Sequence, residues 1–352
     1  MVKNMTECGS VNIDYSDIDS VLNDIIGDGR SFGDYVGSMM DGNVLSYDDI
    51  YNNICGILSG EMDSIRSMVG NMLLIILIAA VFINLAGTIG SRQISENGFY
   101  VTYMLLFILL SVSFGRLDGL AAAVMDNLIN FISVLLPTFF MTVTYVAGGT
   151  VILYQSAMAV IGIVEIILGK IFLPVVKAYF VLAMINPLLN GNYFTKFLEL
   201  IEQFVIWGLK GLFILVSGIG LMQGMIIPAA TGMKKGMVGR IIKSIPGAGN
   251  TMNTVMESVY GTGVLLKNAV GVAGLVIIIA ICSIPVLKIG AYYLIYQFGA
   301  AVSEPVSADR RLIDCISAAA GAAKLLLMIV FMSAILFMVT IGIVTAATGL
   351  TV

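Results

Sequence analysis

Glu165, Lys170 and Lys177 interrupt otherwise apolar sequence, which makes them the first candidates for chemistry. An ionised group at bilayer depth costs roughly a few kcal/mol by insertion scales, so it persists where something uses or compensates it. Glu165 lies between Val160–Val164 and Ile166–Leu168, Lys170 follows close behind, and Lys210 breaks a later apolar run. Two readings fit these residues. They form a polar path for ions or solutes, or the lysines snorkel to an interface while Glu165 pairs locally with one of them. Other chemistry is scarce. The chain has no histidine, which removes His-based general acid–base catalysis, Ser-His-Asp and Cys-His nucleophiles and His metal sites. An intramembrane enzyme would then need a carboxylate or Ser-Lys pair at depth. Asp118 and Asp126 instead fall in a short polar break, Arg116–Asp126, that reads as an interfacial loop. No catalytic residue is assigned, and the chain is not expected to be an enzyme.

The elements that must position these residues follow from charge spacing. Long charge-free stretches cover 67–91, 97–115, 127–164, 178–195, 211–233, 268–287 and 325–352. A bilayer core about 30 Å thick takes about 20 helical residues to cross. Of the 352 residues, 59% are hydrophobic and 11% are charged, against about 25% charged in a soluble domain. The apolar runs are continuous, as in Met72–Ile83 and Leu325–Val339, where a membrane β-barrel would alternate apolar with polar. The expected fold is all-α, a polytopic transmembrane helical bundle with about eight spans plus re-entrant or amphipathic helices.

Two regions are expected. Residues 1–66 hold 12 of the 22 acidic residues, with Lys3, Arg30 and Arg66 as the basic ones. This acidic polar region, expected outside the cytoplasm, is too small for a catalytic domain and reads as packing on the membrane body or a partner. Asp14–Ile26 carries Ile18, Val21, Leu22, Ile25 and Ile26 at helical spacing, and Asp34–Met40 and Tyr47–Leu58 read similarly. Met1–Asp19 lacks the basic start and apolar centre of a cleavable signal. Cys8 and Cys55 share this region, where an oxidising exterior would permit a disulfide, whereas Cys282 reads as a packing residue.

Residues 67–352 are the membrane body. Spans are expected near Met68–Thr88, Gly98–Phe114, Leu128–Ala147, Val151–Leu168, Ile171–Leu189, Phe204–Ile227, Asn268–Leu287 and Leu325–Ala346, with Ile289–Val302 as a short span or re-entrant helix. Pro137 and Gly148-Gly149 break the 127–164 run into a hairpin, and Asn186-Pro187 ends the fifth segment. Basic loops stay cytoplasmic, so Lys234, Lys235, Arg240 and Lys243 are the candidate cytoplasmic basic loop, with Arg310-Arg311 as a second marker. Arg92 and the acidic tail place the amino terminus outside. Five apolar segments between Arg92 and Lys234 conflict with both lying inside, so one segment within Val151–Leu189 is expected not to cross. Both termini would then be outside. After a turn at Ser244–Gly249, the stripe Met252, Val255, Met256, Val259 and Tyr260 reads as an interfacial amphipathic helix. Gly218, Gly220 and Gly224, and Gly271 with Gly274, supply faces for close helix approach, within one subunit or in a homo-oligomer.

No phosphate-binding loop, zinc-protease motif or dinucleotide fingerprint occurs, so no cofactor is implied. The 18 basic residues are scattered among 22 acidic ones, which gives nucleic acid no electrostatic footprint. The basic cluster suits a face near anionic membrane lipid.

The carboxy-terminal half resembles the stage III sporulation protein AE family of endospore-forming bacteria. The likeness rests on Ser244–Gly249 and on the block containing Gly263, Leu265, Leu266, Lys267, Asn268, Gly271 and Gly274. Pro285–Ile289, Arg311–Ile316, Ile94–Tyr100 and Leu135–Thr138 extend it, from about residue 68 to the end. The resemblance implies a multi-pass component of a sporulation complex in the mother-cell membrane facing the forespore. That complex is secretion-like, with ring-forming partners and a cytoplasmic ATPase, and is thought to form a channel between the two cells. This chain would be its conduit or assembly platform. Family members usually begin with a signal sequence, unlike Met1–Asp19. The alternative from the residues alone is a stand-alone secondary transporter or permease, since broken spans at Gly148-Gly149 and Asn186-Pro187 are of the kind that line substrate sites.

Overall fold

The computed structural model describes residues 15–25, 31–40, 92–147, 151–189, 193–243, 249–305 and 309–347, with scattered helical positions between 66 and 81. Side chains within these ranges are described except at 25, 92–95, 141–147, 151–154, 156, 220–243, 249–264, 267 and 346–347. Two short helices, α1 (Ser16–Ile25) and α2 (Phe32–Met40), precede the long ones. α2 opens on a reciprocal cap. The Ser31 hydroxyl accepts from the Asp34 amide at 3.1 Å, and the Asp34 carboxylate accepts from the Ser31 amide at 3.0 Å. Asp19 of α1 accepts from the Phe32 amide, which ties the two helices together. Ile18, Leu22, Phe32, Tyr35 and Val36 are buried, so the apolar faces of α1 and α2 pack on the long helices. Tyr47–Leu58, Cys8, Cys55 and most of the first expected span lie outside the described residues.

The body is built from α3 (Arg92–Ala147), then α4 (Val151–Val164) running through a π-helical segment (Glu165–Phe172) into α5 (Leu173–Ile185), then α6 (Thr195–Lys243), α7 (Gly249–Ser303) and α8 (Arg310–Ala347). Five stretches among the described residues are long and apolar enough to cross a membrane: Glu96–Phe140, Ala157–Leu188, Thr195–Ile219, Asn268–Ser303 and Arg310–Thr345. One helix ends at Ala147 and the next begins at Val151, on either side of the expected break, and Asn186–Leu188 forms the other expected break as a single 3₁₀ turn. Asn186 builds that turn, accepting from the Phe194 amide at 2.9 Å and donating to the Thr195 hydroxyl at 3.2 Å.

Among the described residues, fusion of neighbouring segments leaves five membrane-length stretches where seven of the expected spans lie. Gly98–Phe114 and Leu128–Ala147 are one helix, because Arg116–Asp126 is helical rather than a loop. Val151–Leu168 and Ile171–Leu189 join through the π segment into one continuous helical unit. Asn268–Leu287 and Ile289–Val302 also form one helix, which includes the expected amphipathic helix near Met252 as its first turns. At 1.5 Å rise per residue, α3 is about 84 Å long, well beyond one bilayer core.

The five long units run up and down with short connections. Ser113 of α3 bonds Tyr296 of α7, and Leu135 meets Gly274, so α3 and α7 are antiparallel. Gly271, Gly274 and Gly290 of α7 lie beside Thr345, Ile341 and Leu327 of α8, again antiparallel. α8 is the central helix, touching each of the other long helical units. Its buried Ala319, Ala320, Ala322 and Ala323 keep it thin. In lipid, burying Leu gains little over leaving it in acyl chains, so such close backbone approach supplies much of the association energy. Lys243 ends α6 and Gly249 begins α7, while Arg310-Arg311 begins α8 at the far end of α7. A single helix separates the two basic markers, so they lie at opposite ends of the bundle. One helix, α7, runs between them where Asn268–Leu287 and Ile289–Val302 were expected as two segments.

Candidate functional site: ion pairs within the apolar bundle

Among the described residues, four ion pairs form within or across the long helices: Glu165–Lys170, Asp118–Lys177, Lys196–Glu199 and Glu202–Lys324. The π segment brings Glu165 and Lys170 together at 3.5 Å. Five residues along an α-helix lie about 140° apart around the axis. The i→i+5 hydrogen bonding of a π-helix brings the fifth residue back above the first, so this pair exists because of the local helix type. Both side chains are open, Lys170 at 68% exposure and Glu165 at 40%. Lys177 does not join them. Its Nζ lies 2.9 Å from Asp118 Oδ2, linking α5 to α3, and the Asp118 side chain is only 13% exposed. The other carboxylate oxygen, Asp118 Oδ1, is buried without a hydrogen-bond partner among the described residues.

A second inter-helix pair, Lys324 Nζ to Glu202 Oε1 at 3.0 Å, links α8 to α6. Helix register puts both links at one level. From Ser113 opposite Tyr296, five residues along α3 reach Asp118 opposite the Gly290–Tyr292 turn. Gly290 lies beside Leu327, three residues from Lys324. The two pairs therefore flank α5 and α6 at mid-height. Between them, buried Tyr179 of α5 places its hydroxyl where a Cβ on Gly321 of α8 would stand, 2.8 Å away.

Aromatic contacts fix α5 and the π segment around these charges. Phe114 and Phe180 stack with centroids 4.0 Å apart, one turn from the Asp118–Lys177 link. Phe172, the last residue of the π segment, meets Phe204 edge-on at 5.8 Å and fills the notch at Gly208. A Cβ there would come within 2.3 Å of the Phe172 ring. Towards the α8 start, the Tyr103 hydroxyl donates to the Met184 carbonyl, and Arg311 lies 3.6 Å over the Phe99 ring while pairing with Asp309.

Sequence reasoning singled out Glu165, Lys170 and Lys177 and missed Asp118, Glu202 and Lys324. Asp118 had been assigned to a loop. A signal for Lys324 was present, since it stands alone between Ala323 and Leu325. Lys234, Lys235, Arg240 and Lys243 fall on the last turns of α6 rather than in a loop, and their side chains are outside the description. Of the motif Gly263 to Gly274, two glycines have a visible purpose. A Cβ on Gly271 would approach Thr345 Oγ1 to 2.5 Å, and one on Gly274 would approach Leu135 to 2.8 Å. Gly218 has open space around it.

The family model described as stage III sporulation protein AE matches residues 30–348. This chain belongs to the stage III sporulation protein AE family. A member from Bacillus subtilis (strain 168), named stage III sporulation protein AE, is 22% identical over 247 residues, or 68% of this chain and 61% of that protein. The aligned part thus spans less than two thirds of that relative's length. No solved structure matches. The stage III sporulation protein AE assignment covers α2 and every long helix, so both inter-helix ion pairs lie inside the matched region. With five membrane-length helices among the described residues, the chain is a membrane protein of a sporulation family.

Proposed function

We propose that this chain is the multi-pass core of the sporulation transenvelope complex, placed in the mother-cell membrane facing the forespore, where it acts as conduit or assembly platform. The observation that carries this reading is the family match over residues 30–348, laid on a body made almost wholly of membrane-length helices. Such a body suits a membrane core that other proteins energise. Its partners would be ring-forming membrane proteins and a cytoplasmic ATPase of the same complex. The test is deletion in an endospore-forming host that carries the chain, read as heat-resistant spore counts, together with co-purification of those partners from the mother-cell membrane. Loss of spores after engulfment and stable co-purification are expected. Normal spore formation, or a chain that purifies without them, would overturn the proposal.

One observation favours a second reading, a stand-alone transporter or permease. The π segment is a local departure from α geometry inside a membrane span, and it carries an ion pair. Reconstituted chain that moves a solute across liposomes without partners, and loses this with Glu165→Gln, would support that reading.

A further inference from the structure

One face of α3 is polar where its length and surroundings are those of a membrane helix. Asn127, Asn130 and Ser133 recur at spacing three inside the candidate span Glu96–Phe140. Together with Val134 and with Val21 and Asp24 of α1, they line a cavity of about 340 Å³ between α1 and α3. Helix register fixes its level. Ser113 opposite Tyr296 and Leu135 opposite Gly274 bring Asn130 opposite Ile279 of α7. Ile279 is 52% exposed and lies in the charge-free run 268–287. At a single height, then, α7 turns an aliphatic side chain outward while α3 turns amides and a hydroxyl towards α1.

Acyl chains offer amides no hydrogen bonds, and each amide left unsatisfied there costs several kcal/mol. A space of this size is large enough for several waters, and its lining supplies the polar partners that ordered water needs. No basic side chain is among its lining residues, and Asp24 supplies a negative charge. We infer that this space is a water-filled vestibule at bilayer depth, open to water and small polar solutes and walled on one side by the amphipathic helix α1. The inference is independent of the complex proposed above, since it concerns only what solvates this face.

The test is thiol reactivity in the full chain in native membranes, with the unsubstituted chain as baseline. Asn130→Cys and Ile279→Cys are compared with a charged, membrane-impermeant thiol reagent, and Ser133→Cys serves as a second polar position. Asn130→Cys and Ser133→Cys should react roughly tenfold or more faster than Ile279→Cys, which should react only with a lipid-soluble maleimide. Fast reaction at all three positions would put this level outside the bilayer, and slow reaction at all three would show a dry space. Either result overturns the inference, as does faster reaction at Ile279→Cys.

Discussion

Two kinds of ion pair sit in this bundle, and they differ in what holds them. Asp118–Lys177 joins two helices and leaves one carboxylate oxygen buried and unpartnered. Glu165–Lys170 joins two residues of one segment, in the open, by virtue of a π turn. The first fixes a position between helices and carries the desolvation of a buried charge. The second can exchange its partner for water or headgroups at small cost. Depth of burial, not the mere presence of a charge in apolar sequence, therefore separates a structural charge from a tolerated one. The Glu202–Lys324 pair lies between these extremes, half-buried but spanning two helices.

Substitutions that strip one partner should rank accordingly. Lys177→Ala leaves the Asp118 carboxylate without its counter-charge in a mostly buried site, and should cost about 3 kcal/mol in detergent unfolding. Lys177→Ala with Asp118→Asn should recover most of that loss. A loss no larger than that of Lys170→Ala would break the distinction between the two pairs. Gly208→Ala comes next, at about 1–3 kcal/mol, because the new methyl meets the Phe172 ring. Thermal denaturation of Gly208→Ala with Phe172→Leu should show partial rescue, and equal stability of Gly208→Ala and the parent would mean the notch is slack. Lys324→Ala should cost about 1–2 kcal/mol, and the exchange of Glu202→Lys with Lys324→Glu should restore part of it. The smallest effect is expected for Glu165→Gln or Lys170→Gln, under about 0.5 kcal/mol in stability. A large loss at either would place this pair with the buried ones.

How much was legible beforehand depends on the range of the interaction. The helix end at Ala147 and the turn at Asn186-Pro187 were visible because Gly-Gly and Asn-Pro act on their own backbone. Pro137 was expected to break its run, yet α3 continues through it, as α7 does through Pro285. Packing on neighbouring helices compensates for the lost backbone bond in each. Arg116–Asp126 read as a loop because three charges in eleven residues suit an interface. It is helix because Asp118 finds Lys177, fifty-nine residues away in sequence. A local pairing of Glu165 with one of the lysines was one of two readings of these residues, while the π geometry that brings it to Lys170 had no signal in the sequence.

The sequence by itself determined that lipid surrounds most of this polypeptide, because the hydropathy of a 20-residue run is a local sum that needs no partner. It also placed the chain in its family, through motifs that are likewise local. Only the tertiary structure decided how many helices those runs make, which basic clusters share an end, and which charges are buried. Each of those depends on contacts between residues far apart in the chain. In a solvent that offers no hydrogen bonds, such contacts decide whether a polar residue interrupts a helix or is absorbed by it.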